Sequence, residues 1–549
     1  MMRFQALSTC FRRTRRAAAT CLALLGLLRL PAMAAAIVSS SADFPVIQPN
    51  FDLNPIYTAM PLTHRLDYRI GFTNLSGQPI TFLGGEARFL DAQGNLLRTA
   101  PLDATQFAER ASLSDSTFLN GRGTTDVPAL TDEVMNSMLV ANDGRIWATG
   151  SGRDANGIPR LIVARFLQDG RPDSTYDGTN NYNGLVRTEV ASTAQAIALD
   201  ALGNAVIVGG TPGSSQVVVT RFTPAGVLDP AFNGTGRRQF AVGTFAIPLG
   251  VAIDDQNRPV VCGYFIAGGQ VRSFVARLTA GGALDASFGN NGVAQISVPG
   301  AFAHFAHAIV VDGADRLAVA GYATIDGKPR FLVARLDVDG AQDLKFGGAG
   351  YVTTTFPGRP RSEAFGLARS GAFGLLAVGR ATTEDGEPSF ALARYDDDGS
   401  LDPAFGTGGR ALVTFPGFDA AEAKTATLDL FGRILVAGVA RNGSQSAMAV
   451  ARLQSNGQPD PGFSGDGRRT IGAFGDGQDA RAVGVGVLYT GEIGDIIVGG
   501  SAEVWVRNPA TEDGARWALA RLDFNDTLNP GATLRNLAIV SLDLLDFPF

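Results

Sequence analysis

Leu401-Asp402-Pro403-Ala404-Phe405-Gly406-Thr407-Gly408-Gly409, preceded by Phe390-Ala391-Leu392-Ala393-Arg394, is the stretch on which the reading of this chain turns. It combines an arginine closing a run of small and apolar residues, an aspartate eight positions later, an aromatic three after that and a glycine four further on. The Asp/aromatic step recurs as Asp115/Phe118, Asp173/Tyr176, Asp229/Phe232, Asp285/Phe288, Asp343/Phe346, Asp402/Phe405 and Asp460/Phe463. The arginine recurs as Arg165, Arg221, Arg277, Arg335, Arg394, Arg452 and Arg521. A period of just under sixty residues, repeated seven times, marks a repeat architecture rather than a single ordinary core.

Within one period the runs are short and β-patterned. In the unit from Asp402 they are Ala411–Phe415, Lys424–Leu428, Arg433–Ala437 and Ala447–Leu453, with Asp429-Leu430-Phe431-Gly432 as a tight turn. No unit offers the 3.6-residue periodicity of a helical solenoid. Four antiparallel strands repeated seven times predict an all-β fold, a seven-bladed β-propeller of four-stranded antiparallel blades. The 68 glycines and only 18% charged residues fit many strands and tight turns.

Six Arg–Asp pairs lie eight residues apart: Arg165/Asp173, Arg221/Asp229, Arg277/Asp285, Arg335/Asp343, Arg394/Asp402 and Arg452/Asp460. Such regularity reads as packing rather than as copies of an active site, so each pair is expected to brace the blade-to-blade crossing, with the aromatic filling the gap between blades. Arg521 has Asn529 eight residues on and Asp115 has Phe107 eight residues before it, so closing the ring is expected to join Arg521 to Asp115.

These motifs resemble the delta-60 repeat of exported bacterial proteins. The resemblance spans roughly residues 113–528, and it implies a β-propeller. That family carries no agreed activity, so the resemblance transfers no catalytic residues.

The flanks read differently. Arg12, Arg13, Arg15 and Arg16, the apolar stretch Ala17–Leu30 and the small-residue site Ala32-Met33-Ala34 have the layout of a signal peptide, residues 1–34, and predict export to the periplasm or beyond. Arg29 and Pro31 interrupt the apolar stretch before it could span a bilayer, and no later stretch is apolar enough to cross. Removing that leader takes away six arginines and leaves 40 basic against 52 acidic residues, a balance of −12. An acidic surface repels phosphate backbones, which argues against nucleic acid as a partner. Cys10 and Cys21 leave with the leader, so Cys262 stands alone and reads as a small buried hydrophobe. Residues 35–110 show alternating runs at Leu66–Phe72, Ile80–Leu83 and Ala87–Leu90, expected to form a small β-sandwich-like accessory region. In the tail, residues 529–549, Leu537–Leu545 would add a strand to it.

Motifs for chemistry are sparse. There is no Gly-x-Ser-x-Gly elbow, phosphate loop or His-Glu-x-x-His helix. His304 and His307 read as incidental residues of an exposed loop, and His64 stands apart. Asp396-Asp397-Asp398-Gly399 and Asp337-Val338-Asp339-Gly340 offer oxygen ligands of the kind calcium takes. Neither completes a known ligand set, so solvated turn acids are the expectation, with calcium as the alternative and no other cofactor. The segments that vary between units are Pro299–His307, Pro357–Arg361 and Pro416–Ala421, from first to second strand, and Arg153–Arg160, Thr324–Arg330 and Thr382–Pro388, from third to fourth. In an up-and-down blade both sets open on one face. The longest is Ser501–Arg516, with Trp505, Arg507, Pro509 and Asp513. A rigid scaffold presenting variable loops suits recognition, so the expectation is an exported, monomeric, non-catalytic scaffold for a protein or glycan partner. The alternative is an extracytoplasmic hydrolase or lyase with acids gathered at the central channel.

Overall fold

A computed structural model describes residues 130–522, apart from 177–183, 212–215, 372–373, 444, 473–478, 490–493 and 505–513, together with the backbone of strands lying between Met2 and Thr125. Two compact units emerge, one of Met1–Ser116 with Thr527–Phe549, the other of Thr117–Asp526.

The larger unit is a seven-bladed β-propeller: seven four-stranded antiparallel sheets, each packed on the next. In blade 5 the strands, called a to d from the centre outward, are Arg361–Ser370, Gly374–Thr382, Pro388–Tyr395 and Arg410–Val413. Blades 1 to 6 occupy residues 131–191, 196–241, 245–295, 303–354, 361–413 and 420–471. Blade 7 takes three strands from 480–522 and its outer strand from Arg122–Thr125.

The blade boundary falls one strand away from the repeat boundary. Arg410–Val413, which opens the unit read from Asp402, is the outer strand of blade 5, while Ala420–Leu428 is the inner strand of blade 6. Each repeat therefore crosses from one blade to the next, which ties neighbours together covalently. At the seam the same offset brings Arg122–Thr125 back to pair with Trp517–Ala520.

Strands b and c are buried on both faces, because every sheet is sandwiched between two others. Seven hydrophobic clusters fill the seven interfaces. The seam is packed like the rest: Met135, Met138 and Ile146 of blade 1 meet Leu488, Ile497 and Leu519 of blade 7, and the Met135 N–H donates to Ser501 Oγ at 2.9 Å.

In the smaller unit, a five-stranded sheet runs in the order Ala34–Ser39, Ala23–Leu28, Met2–Leu7, Gly85–Leu90, Leu96–Leu102. Ile47–Asp52 pairs with Arg69–Asn74, and Phe11–Arg12 with Thr81–Phe82. The expected strand Leu537–Leu545 lies outside the described residues. No helix is long and apolar enough to cross a membrane among the described residues.

Candidate functional site at the inner rim

The two faces of the ring are built on different plans. On the face where strands a and b, and c and d, are joined, one joint is repeated. Arg335 closes strand c of blade 4; its Nε and Nη2 bind Asp343 Oδ2 at 2.8 and 2.7 Å. The Asp343 Oδ1 accepts the Lys345 N–H at 3.0 Å, which tightens the corner. The guanidinium lies 4.8 Å from the centroid of the buried Phe346 ring. The other pairs, Arg165/Asp173, Arg221/Asp229, Arg277/Asp285, Arg394/Asp402 and Arg452/Asp460, meet at 2.7–2.8 Å.

The expectation about where this pair sits needs a correction. Because the blade boundary is offset, Arg and Asp belong to one blade, at the end of strand c and the corner after it. The crossing is made by the remaining nitrogen: Arg165 Nη1 donates to Pro224 O at 2.6 Å, Arg221 Nη1 to Ala280 O at 2.7 Å and Arg335 Nη1 to Asp397 Oδ1 at 2.7 Å. The aromatic completes it. A Cβ on Gly457 of blade 6 would lie 2.7 Å from the Phe405 ring of blade 5, so the next corner needs a glycine there. At the seam Arg521 binds Asp495 of its own blade, Nε to Oδ2 at 3.0 Å, while Asp115 lies outside the described residues.

The acidic turns belong to this joint. Asp397 accepts from both Arg316 and Arg335 at 2.6 and 2.7 Å; burial opposes its ionisation, but those two arginines hold its carboxyl below the usual range. Asp398 accepts from Ser400, and Asp339 from the Ala341 N–H. Among the described residues no group of three His, Cys, Asp or Glu side chains is placed to hold a metal ion. An open cleft of about 310 Å³ on this face is lined by Arg394, Asp396, Asp402 and Ser455, groups of the joint itself.

The opposite face opens between strands b and c and at the crossings between blades. Here one glycine of strand b is constant: Gly150, Gly209, Gly263, Gly321, Gly379, Gly438 and Gly500. A Cβ at any of them would fall 1.8–2.1 Å from a carbonyl oxygen of strand a or, in blade 2, of Thr193 just before it. The carbonyls belong to Val134, Thr193, Ile247, Phe305, Glu363, Glu422 and Arg481, six residue types at one structural position. In six blades strand a then bulges, with Asn136, Leu249, His307, Phe365, Lys424 and Val483 as the extra residue. A bulge bends the strand and re-aims its side chains. The backbone at the rim is thus fixed while its side chains are free to differ.

In blades 3 to 6 those side chains form one cluster. Tyr264 meets Phe305 edge-on at 4.9 Å, and Phe305 stacks on Tyr322 at 4.5 Å. His307 stacks on Tyr322 at 5.7 Å and meets Phe365 edge-on at 5.3 Å. The Lys424 Nζ sits 4.2 Å from the Phe365 centroid. Arg380 joins two carboxylates, Glu363 at 2.6 Å and Glu422 at 3.1 Å, and Glu422 also accepts Lys424 at 3.0 Å and Arg441 at 3.4 Å. Burial opposes ionisation of Glu422, but Lys424, Arg441 and Arg380 outweigh it and hold the carboxyl below its ordinary range. Burial, with Glu363 and Tyr264 nearby, pushes the Tyr322 phenol up to about 12.

The histidines do not sit in an exposed loop. Strand a of blade 4 begins at Ala303, so both lie on it. His304 is fully buried; its Nδ1 accepts the Ser273 N–H at 3.0 Å, and burial holds the imidazole down to about 4. His307 Nε2 is buried without a hydrogen-bond partner among the described residues. Cys262 is buried on strand b of blade 3, where desolvation drives its thiol far up and leaves it protonated. His64, Trp505, Arg507, Pro509 and Asp513 lie outside the described residues.

A family model described as "Domain of unknown function (DUF5122) beta-propeller" matches residues 141–176, 260–288, 315–346, 375–405 and 432–463. Each matched segment from 260 onward covers strands b and c and the corner with its Asp and aromatic. The chain is a β-propeller repeat protein. No curated protein matches it. Among solved structures it is similar to a protein of unknown function from Dyadobacter fermentans, at 11% identity and a TM-score of 0.37 over 74% of this chain and 98% of that one. It is also similar to the polysaccharide lyase Uly1, at 10% identity and a TM-score of 0.43 over 73% and 91%. A third is Sqt1 from Chaetomium thermophilum, at 12% identity and a TM-score of 0.38 over 75% and 97%. At these values the likeness bears on neither activity nor ligand.

Proposed function

We propose that this chain is an exported, non-catalytic propeller of the delta-60 type that binds an extracytoplasmic partner, protein or glycan, on the face where strands b and c are joined. One observation carries the reading. The opposite face is spent on a joint that repeats from blade to blade, whereas a single rim position carries Val134, Thr193, Ile247, Phe305, Glu363, Glu422 and Arg481 in turn. Packing alone would favour repetition at that position too. Variation on a fixed backbone is what recognition by a rigid scaffold requires.

A hydrolase or lyase would draw on the pair Glu363 and Glu422. Both are ion-paired through Arg380, and Glu422 is held below the usual carboxylate range. A general acid needs the reverse, a carboxyl kept protonated near neutral pH. The pairing therefore supports binding over catalysis.

Export rests on the leader, residues 1–34. Cleavage after Ala34 would remove Met2–Leu7 and Ala23–Leu28 from the accessory sheet and leave Gly85–Leu90 paired with Leu96–Leu102. N-terminal sequencing of the protein recovered outside the cytoplasm is expected to begin at Ala35; an intact Met1 there would refute processing. Binding is tested by pull-down from the envelope fraction with the processed chain, alongside a form lacking residues 505–513 and another with Glu363→Ala and Glu422→Ala. Capture that survives both changes would place the partner elsewhere.

A further inference from the structure

The charges and rings of the inner rim narrow the class of ligand. Around Phe305 and Phe365 stand two acids, Glu363 and Glu422, and three cations, Arg380, Lys424 and Arg441, already joined to one another. Such a nearly balanced set does not attract a polyanion, and a processed chain at −12 repels one at longer range. A wholly apolar ligand fits no better, because it would strip water from Glu363, Arg380, Lys424 and Arg441 without replacing their hydrogen bonds.

The remaining features are ring faces and hydroxyl groups. Tyr264 and Tyr322 are partly exposed and stand to either side of Phe305, and neither phenol oxygen is hydrogen-bonded among the described residues. Phe302, at the crossing that leads into the same strand, is 76% exposed, and Phe245 in the neighbouring blade 40%. A pyranose presents the matching chemistry: an apolar C–H face for a ring, and an equatorial belt of hydroxyls that both donate and accept. Phenols, carboxylates and guanidinium groups at the edge of an aromatic platform supply partners for such a belt. We infer that the rim of blades 3 to 6 is a binding site for an uncharged glycan, with Tyr264, Phe305 and Tyr322 as the stacking platform, Glu363 and Arg380 as the hydroxyl-binding edge, and the buried Glu422 holding Arg380 in place.

This inference rests on the reading of the rim face as the recognition face, and the experiment separates the two. The full processed chain is titrated by calorimetry with cello-, malto- and laminari-oligosaccharides, and with oligo-uronates as the charged comparison; saturation-transfer NMR reports which sugar protons approach aromatic rings. The expected result is binding of at least one neutral series, little binding of uronates, and a loss of tenfold or more in Tyr264→Ala and Tyr322→Ala chains whose melting curves stay unchanged. Should either variant unfold, Tyr264→Phe and Tyr322→Phe remove only the hydroxyls and are expected to weaken binding several-fold. Preference for uronates, or neutral-glycan binding indifferent to all four substitutions, overturns the inference. Absence of glycan binding together with protein capture that depends on Glu363 and Glu422 overturns it too, yet leaves the rim as the recognition face.

Discussion

Replacing Asp343 with alanine tests the joint where it is most enclosed. Arg335 has a side chain only 1% exposed and is bound twice by Asp343, once by Asp397, with Phe346 against its face. Breaking a buried pair by removing one partner costs about 3–5 kcal/mol, because the other charge is left without compensation. Asp397 remains, although its side chain is 54% exposed, so the low end of about 3 kcal/mol is expected. For a ring of roughly 400 residues, unfolding entropy near 2.1 cal/mol/K per residue converts this to a fall in Tm of about 4 °C. Calorimetry of the processed chain measures it, with Asp326→Ala as the comparison, since the Asp326 partner of Arg330 is 85% exposed and its loss is expected to cost under about 1 kcal/mol. Equal shifts for the two variants would refute the claim that the joint holds the blades.

Three further outcomes follow from the structure. His304 is held neutral by burial, with a folded value of about 4 against an ordinary 6.5, so the unfolded chain binds the extra proton between these values and stability falls as pH drops from 6.5 towards 4. The loss is on the order of 3 kcal/mol, and His304→Asn, which keeps an acceptor for the Ser273 N–H without titrating there, is expected to reduce that slope of the urea midpoint-versus-pH curve by about half, since burial lowers the His307 imidazole to about 4 as well. Gly321→Ala would place a Cβ 1.8 Å from Phe305 O, so the bulge must shift; a destabilisation of about 1–3 kcal/mol or more by chemical denaturation is expected, and a neutral result would contradict the close approach. Deleting residues 122–125 leaves the edge of Gly514–Leu522 unpaired, and light scattering is expected to show concentration-dependent association that the intact chain lacks.

The propeller was legible because its joint is written in the sequence at fixed spacing: one buried arginine, one aspartate eight residues on and one aromatic beneath them, repeated. Strand phase was less legible. Arg410–Val413 and Ala420–Leu428 look alike as short β runs, and nothing local says that a blade ends between them; that depends on which sheet edge each strand meets. The rim is hard to read for the opposite reason: repetition marks constant positions, while Tyr264, Phe305, Tyr322, Glu363 and Glu422 occupy variable ones. A signal existed all the same. Each blade's constant strand-b glycine faces the rim residue, and aligning the units on Gly321, Gly379 and Gly438 would have put Phe305, Glu363 and Glu422 in one column. His304 and His307 read as loop residues because Pro299-Gly300 and the two imidazoles suggest a turn, whereas the strand already starts at Ala303 and Ser273 and Tyr322 of adjoining strands cover them.

Hydrogen–deuterium exchange of the processed chain with and without its captured partner addresses the central claim most directly. Protection is expected over residues 303–307, 361–365 and 420–424, where the inner strands reach the rim. Protection confined to the turns at 254–258, 312–316 and 429–433, on the face of the repeated joint, would contradict the account.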